Sequence, residues 1–194
     1  CAHLLHRCGA QVTTVSSSQR PDGAAHGSPS LYQHLHSGHK HRVLNFNDPD
    51  QLAALANMLT EADVVIEASR PRALQGLGLD RETLTVIKPQ IWLSLTAYGR
   101  DDPNGQWVGF GDDVAVSANL LQWTAEGRPE FLGDAVADPL TGTLAALAVA
   151  HAVSVGQSGL LDLSMAAVAS QCRRKVLSSE RALFCPLRKV SHAD

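Results

Sequence analysis

Apolar residues recur along this chain with two alternating spacings, one of about every fourth residue and one of short continuous runs. Leu4, Leu5 and Cys8 share one face of a predicted helix over Ala2 to Cys8, and Gly9 stands where such a helix would end. Gln11-Val12-Thr13-Thr14-Val15 is rich in β-branched residues and reads as a strand. Ser16 to Ser30, rich in Ser, Gly and Pro, reads as an exposed loop, and Leu31 to Arg42 as a solvated, partly basic turn. A short strand is predicted over Arg42 to Phe46. After it, Asp48 can cap a helix that has Pro49 at its first position, Leu52, Leu55, Ala56 and Leu59 on one face, and its end near Thr60. Further on, the pattern predicts a strand over Asp63 to Glu67, a short helix over Arg81 to Ile87 and a strand over Ile91 to Ala97. It continues with a helix over Val114 to Trp123, an irregular stretch over Gly127 to Gly133, a helix over Asp138 to Val155 and a strand over Leu160 to Leu163. From Arg173 the periodicity fades.

Strand and helix therefore alternate, which predicts an α/β domain: a Rossmann-like, mostly parallel sheet with crossover helices. Ligands on such sheets meet the loops at the carboxyl ends of the strands, and here those loops begin at Glu67 and Tyr98. Neither loop carries a Walker A sequence or a G-x-G-x-x-G run. Gly109-Phe110-Gly111 lacks the third glycine and the preceding strand of a dinucleotide fingerprint, so a nicotinamide or flavin role has no support.

Composition narrows the class. The 194 residues are 44% hydrophobic, enough to bury a core, and the formal net charge of -3 gives no general attraction to nucleic acid or an anionic membrane. No run approaches the roughly 20 apolar residues of a membrane span, and Cys1, Cys8, Cys172 and Cys185 are scattered rather than paired. These features read as a cytoplasmic protein with reduced thiols. His34, His36, His39 and His41 invite a zinc-binding reading, but the spacing matches no standard ligand pattern and no Cys or carboxylate lies among them, so no metal is expected.

The strongest chemical candidate is Asp138. It stands where Gly133-Asp134-Ala135-Val136-Ala137-Asp138-Pro139 runs into an Ala/Leu-rich helix, with Pro139 suited to the first helical position. Its carboxylate is expected either to cap the helix or, kept ionised by free N–H groups and the helix dipole, to attack an electrophilic carbonyl. The N–H groups of Leu140 and Thr141 are candidate oxyanion donors, since Pro139 has none.

Taken in order, these segments resemble the class III CoA-transferases, the group that includes carnitine and formyl-CoA transferases and 2-methylacyl-CoA racemases. Glu61-Ala62-Asp63-Val64-Val65-Ile66-Glu67 with Arg70-Pro71, then Leu77-Gly78-Leu79, is similar to the family's strand, Arg-Pro turn and Gly-Leu turn. Leu95-Thr96-Ala97-Tyr98-Gly99, Gly111-Asp112-Asp113, Ala137-Asp138 with Gly142, Gly156-Gln157 and Leu161-Asp162-Leu163-Ser164 follow in the family's order.

The resemblance implies a truncated part of that fold: an incomplete α/β domain over residues 1–170 without its first strand, and an irregular tail over 171–194 altered relative to the family. It implies CoA transfer between an acyl-CoA thioester and a carboxylic acid through an aspartyl-CoA thioester on Asp138. Coenzyme A is then the substrate, and Ala68, Ser69, Arg70, Pro71, Arg72, Tyr98 and Gly99 are its expected binding positions. The arginines would serve as phosphate ligands. Ala68 and Ser69 replace the family's usual Asn and aromatic residue, Gly76 a basic residue and Asn47 a lysine. A homodimer or a complementary subunit is the expected partner, with no nucleic acid and no membrane. The alternatives are a catalytically inactive truncated paralogue and a racemase-like protein, the latter weakened because Asp112 occupies the position of a racemase's histidine.

Overall fold

The computed structural model describes residues 1–101 and 105–177, which fall into two compact units, Cys1–Ala62 and the chain from Asp63 onward. In the first unit, α1 (Ala2–Arg7) leads into β1 (Thr13–Ser17), and two helices, α2 (Ala24–Gly27) and α3 (Pro29–His36), precede β2 (Lys40–Leu44). β1 and β2 pair in parallel, Thr13 opposite Lys40 and Ser17 opposite Leu44. The unit closes with α4 (Pro49–Glu61), capped as its sequence predicts: the Asp48 carboxylate accepts the Asp50 N–H at 3.0 Å and the side-chain amide of Gln51 at 2.7 Å.

The stretch expected to be loop and solvated turn instead contains two helices and most of a strand. Pro29 starts α3, and its inward contacts are rings rather than aliphatic chains: Tyr32 stacks on His36 at 4.1 Å, and His36 meets His39 and His41 at 5.6 and 5.8 Å. From α1, His3 approaches His34 at 4.9 Å and His6 approaches His39 at 5.4 Å. A sequence pattern that scores histidine as polar misses this packing. Gly38 completes the group. Its φ is +79°, which strains any residue with a side chain, and a Cβ there would meet the His6 imidazole.

In the second unit, β3 (Val64–Glu67), β4 (Ile91–Thr96) and β7 (Gly159–Ser164) form a parallel sheet in the order β3-β4-β7. Between them lie α5 (Pro71–Gln75), α6 (Gly111–Ser117), the antiparallel pair β5 (Leu121–Trp123) and β6 (Pro129–Phe131), and α7 (Ala137–Ser154); α8 (Met165–Leu177) follows β7. The central strand is buried on both faces, with Trp92, Leu93 and Ser94 at 0% exposure, as expected of a parallel strand covered on both sides. Ala97, Val114, Ala115, Ala118, Leu120, Ala137 and Ala169 join α6, α7 and α8 into one cluster of mostly small side chains, which lets the helices approach closely.

Three expectations fail in this unit, the first being the irregular stretch over Gly127 to Gly133, which carries β6 because Pro129–Phe131 pairs with Leu121–Trp123. Arg81 to Ile87 is a series of turns, because the Asp80 carboxylate accepts both the N–H and the hydroxyl of Thr83, closing a local turn in place of a helix. The helix expected over Val114 to Trp123 stops at Ser117. Asn119 adopts φ +54°, its N–H bonds the Val116 carbonyl and the Leu120 N–H bonds the Ala115 carbonyl, a Schellman ending with asparagine in the glycine position. The residues beyond it form the β5–β6 hairpin.

α8 carries residues 171–177 of the stretch assigned to the tail; the remainder, 178–194 with Cys185, lies outside the described residues. Cys1, Cys8 and Cys172 are free thiols. Among the described residues no helix is long and apolar enough to cross a membrane.

Candidate active site

Asp138 sits deeper in its helix than the N-cap position the sequence predicts. α7 begins at Ala137, so Asp138 is its second residue and Pro139 its third, and the Asp138 side chain makes no cap to its own helix. The carboxyl instead accepts the backbone N–H of Gly111, at the start of α6. Burial pushes its pKa above the ordinary aspartate value, and the charges of Asp112 and Asp113 push the same way against the Gly111 hydrogen bond. The expectation of a carboxylate held ionised by its own helix is therefore corrected: its surroundings disfavour the charged form.

The two helix starts hold each other. Asp112 Oδ1 accepts the Ala135 N–H at 2.8 Å, the Ala135 carbonyl accepts the Asp138 N–H at 2.9 Å, and Asp113 Oδ1 accepts the Phe110 N–H at 2.7 Å. Ala135 has φ +47°, a left-handed conformation uncommon for a residue with a Cβ. Gly111 has no room for one: a Cβ there would lie 2.6 Å from the Ala135 carbonyl oxygen.

The predicted oxyanion donors are already engaged. The Leu140 N–H reaches the Val136 carbonyl at 3.4 Å, and Thr141 is buried within the helix, its hydroxyl bonded to the Ala137 carbonyl at 2.7 Å. Helix geometry assigns the Thr141 N–H to that same carbonyl. Gly111 is the donor that sequence reasoning missed; the signal available was the glycine opening the Gly-Asp-Asp helix.

The residues expected to meet CoA lie at the carboxyl ends of β3 and β4. Ala68 and Ser69 follow β3 directly, and Arg70-Pro71-Arg72 start α5 with both arginines exposed and Pro71 buried as its first residue. Tyr98 packs against the cluster that includes Ala137 and meets Trp107 edge to face at 6.0 Å. Gly99 takes φ +99° and its N–H donates to Thr96 Oγ1. The structure thus brings Tyr98 alongside the helix that carries Asp138, and no described hydrogen bond or ion pair links Ala68 to Arg72 with that carboxyl.

Behind these loops lies a buried polar network that the sequence did not reveal. Arg100 Nη1 pairs with Glu67 at 2.5 Å and donates to Ser94 Oγ at 3.1 Å, while Ser94 Oγ donates to Glu67 Oε1 at 2.8 Å. The Arg100 backbone N–H reaches Asp162 Oδ2 at 3.3 Å. One arginine therefore ties together residues of all three strands and fixes the loop that begins at Tyr98. A shallow hollow of ≈ 150 Å³, lined by Asp63, Gln90, Ile91, Val153 and Gln157, lies at the opposite, amino ends of the strands. It is smaller than ligand pockets generally are, and parallel sheets bind at the other end. No group of His, Cys, Asp or Glu among the described residues has the geometry to hold a metal ion.

Comparison with known proteins places this geometry in context. The sequence model of CoA-transferase family III matches residues 1–180. A succinate–glutarate CoA-transferase of Agrobacterium fabrum is 30% identical over 163 residues, covering 78% of this chain and 41% of that protein. A probable fatty acyl-CoA transferase of Mycobacterium tuberculosis, Rv3272, is 30% identical over 146 residues, covering 74% of this chain and 36% of its own length. A crystal structure of Rv3272 superimposes with a TM-score of 0.79 at 27% identity, over 90% of this chain and 52% of that one. The chain spans about half the length of the proteins it matches, or less.

Proposed function

This chain belongs to CoA-transferase family III, and on that footing we propose that it carries the nucleophile-bearing part of an acyl-CoA:carboxylate CoA-transferase, with Asp138 as the attacking carboxylate. The observation that carries the reading is the placement of one carboxyl between two helix starts, accepting the backbone N–H that opens one of them. An Asp138 oxygen attacks the thioester carbonyl; the C–S bond breaks, leaving an acyl-aspartyl anhydride and CoA thiolate. The thiolate then attacks the aspartyl carbonyl and releases the first acid, giving an aspartyl-CoA thioester. The incoming carboxylate repeats the sequence in reverse and leaves as its CoA ester, restoring Asp138.

Each step passes through a tetrahedral oxyanion, and attack at the aspartyl carbonyl places that charge beside the Gly111 N–H. A raised carboxyl pKa fits the role, because a more basic carboxylate is the better nucleophile once deprotonated. Transfer therefore rises with pH through a midpoint above the ordinary aspartate value. Exposed Arg70 and Arg72 are proposed as phosphate ligands, with Ala68, Ser69, Pro71, Tyr98 and Gly99 as the backbone and ring surface along which CoA lies. Trp107, Phe110, Trp123 and Phe131, each more than half exposed, support a requirement for a second copy or a complementary subunit to close the site.

The test is peptide mass spectrometry of the folded protein after incubation with a panel of acyl-CoA thioesters and hydroxylamine. A hydroxamate on Asp138 is the expected outcome, absent in Asp138→Asn. No adduct on a folded chain would favour the inactive paralogue. Because Asp138 makes no cap to its own helix and asparagine keeps an oxygen acceptor for Gly111, Asp138→Asn removes a charge that the fold disfavours and is expected to leave stability equal or higher at neutral pH.

A further inference from the structure

The left-handed backbone of Ala135 is the least expected feature near Asp138, because strain of that kind persists only where its surroundings over-determine it. Three contacts do so. The Ala135 N–H is held by Asp112, its carbonyl receives the Asp138 N–H, and its Cα, C and O occupy the space that a side chain on Gly111 would need. The same Gly111 donates its own N–H to the Asp138 carboxyl. The two helix starts are thus clasped in both directions, each sending a backbone N–H to an acidic side chain of the other's segment.

Resting on the reading of Asp138 as nucleophile, we propose that Asp112 is a positioning residue: by pinning the Ala135 amide in its left-handed conformation it fixes where α7 begins, and so holds the Asp138 carboxyl on the Gly111 N–H. Asp112 has a second effect through its charge. As a like charge beside Asp138 it adds, with Asp113, to the desolvation that disfavours ionisation there. The residue that a racemase would use as a proton carrier is, in this chain, committed to the backbone.

The two effects separate by substitution. Asp112→Asn keeps an oxygen acceptor for Ala135 and loses the charge; Asp112→Ala loses both. Amide hydrogen exchange at Gly111, whose acceptor is Asp138 and not Asp112, reads the clasp, and the carboxyl ¹³C shift of Asp138 against pH reads the charge. In Asp112→Ala the Gly111 amide is expected to exchange about tenfold faster, the loss of one charge-assisted hydrogen bond. In Asp112→Asn it keeps its protection while the Asp138 titration moves to lower pH. Adding Ala135→Gly to Asp112→Ala restores part of the protection, since glycine adopts the left-handed conformation without a partner.

Unchanged Gly111 exchange in Asp112→Ala, or an Asp138 titration indifferent to Asp112→Asn, overturns the proposal. The hydroxamate experiment separates this result from the parent reading. A chain with no Asp138 adduct whose Gly111 protection still depends on Asp112 loses the nucleophile and keeps the clasp; a normal adduct with Asp112-independent protection does the reverse.

Discussion

In the unit Cys1–Ala62 a pair of parallel strands is accompanied by helices, two of which, α1 and α3, contribute imidazole and phenol rings that meet one another, and Leu55 is its one buried hydrophobic residue. In the unit from Asp63 onward a three-stranded parallel sheet buries Trp92, Leu93 and Leu161, and three helices close on a cluster of five alanines with Val114 and Leu120. Both units follow the same strand–helix alternation. The second is filled mainly with groups that stay apolar at any pH, around one buried Glu67–Arg100 pair, whereas the first holds rings that pack as apolar groups only while neutral. Alternation of elements thus sets the architecture, and the side chains between the elements set the conditions under which it survives.

The comparison breaks most directly at Trp92. Trp92→Ala is expected to cost roughly 3–5 kcal/mol, read from urea denaturation of the second unit, as for other large-to-small changes in packed cores. A cost no greater than that of His36→Ala would remove the distinction between the two fillings. Next in size is Gly111→Ala: the added methyl meets the Ala135 backbone, so about 1–3 kcal/mol of overpacking strain is expected, together with loss of hydroxamate labelling at Asp138. Normal labelling of a folded Gly111→Ala protein would show that the α6–α7 junction tolerates what its geometry forbids.

Acidification sharpens the contrast. Burial lowers the pKa of His39 and His3, and neighbouring histidines add to both shifts: His36, His6, His41 and His3 for His39, and His34 and His6, with Arg7 and the amino terminus, for His3. A base whose folded pKa is depressed takes up protons more readily when unfolded, so stability is full above the ordinary histidine range and falls as pH drops through it. Hydrogen exchange at pH 7.5 and 5.5 is expected to show faster opening in the first unit at the lower pH and little change in the core strands of the second; equal loss in both would contradict the difference. The smallest effect is Asp48→Ala, about 1 kcal/mol from the lost cap of α4, confined in exchange measurements to the first unit.

The same contrast explains what was legible in the sequence. β3, β4 and β7 were visible because buried parallel strands are continuous apolar runs, and α4 because Asp48-Pro49 announces it. α3 was hidden because its packing residues are histidines. The end of α6 was hidden because Asn119 does the work usually marked by glycine. At the site, Asp138 was legible from its Ala-Asp-Pro setting and from the family order of the motifs, but its partner was not. Gly111 and Asp112 lie in another segment, and their meeting with Ala135 and Asp138 is a product of tertiary packing that no local spacing encodes. Arg100 escaped notice for the same reason: its partners Glu67 and Asp162 are distant in the chain.

The strand order β3-β4-β7 also has a temporal side. During synthesis β3 and β4 leave the ribosome close together, whereas β7, which pairs Gly159 with Ile91, arrives only after two helices and a hairpin have been made. Until then the edge of the central strand β4, with its row of free N–H and carbonyl groups, faces whatever else is nearby. Pairings of such long sequence separation form slowly, so the nascent chain carries an adhesive edge for much of its production. Translation that halts before residue 159 would leave that edge permanently open, and chaperone capture or aggregation, rather than lost chemistry, would be the first consequence.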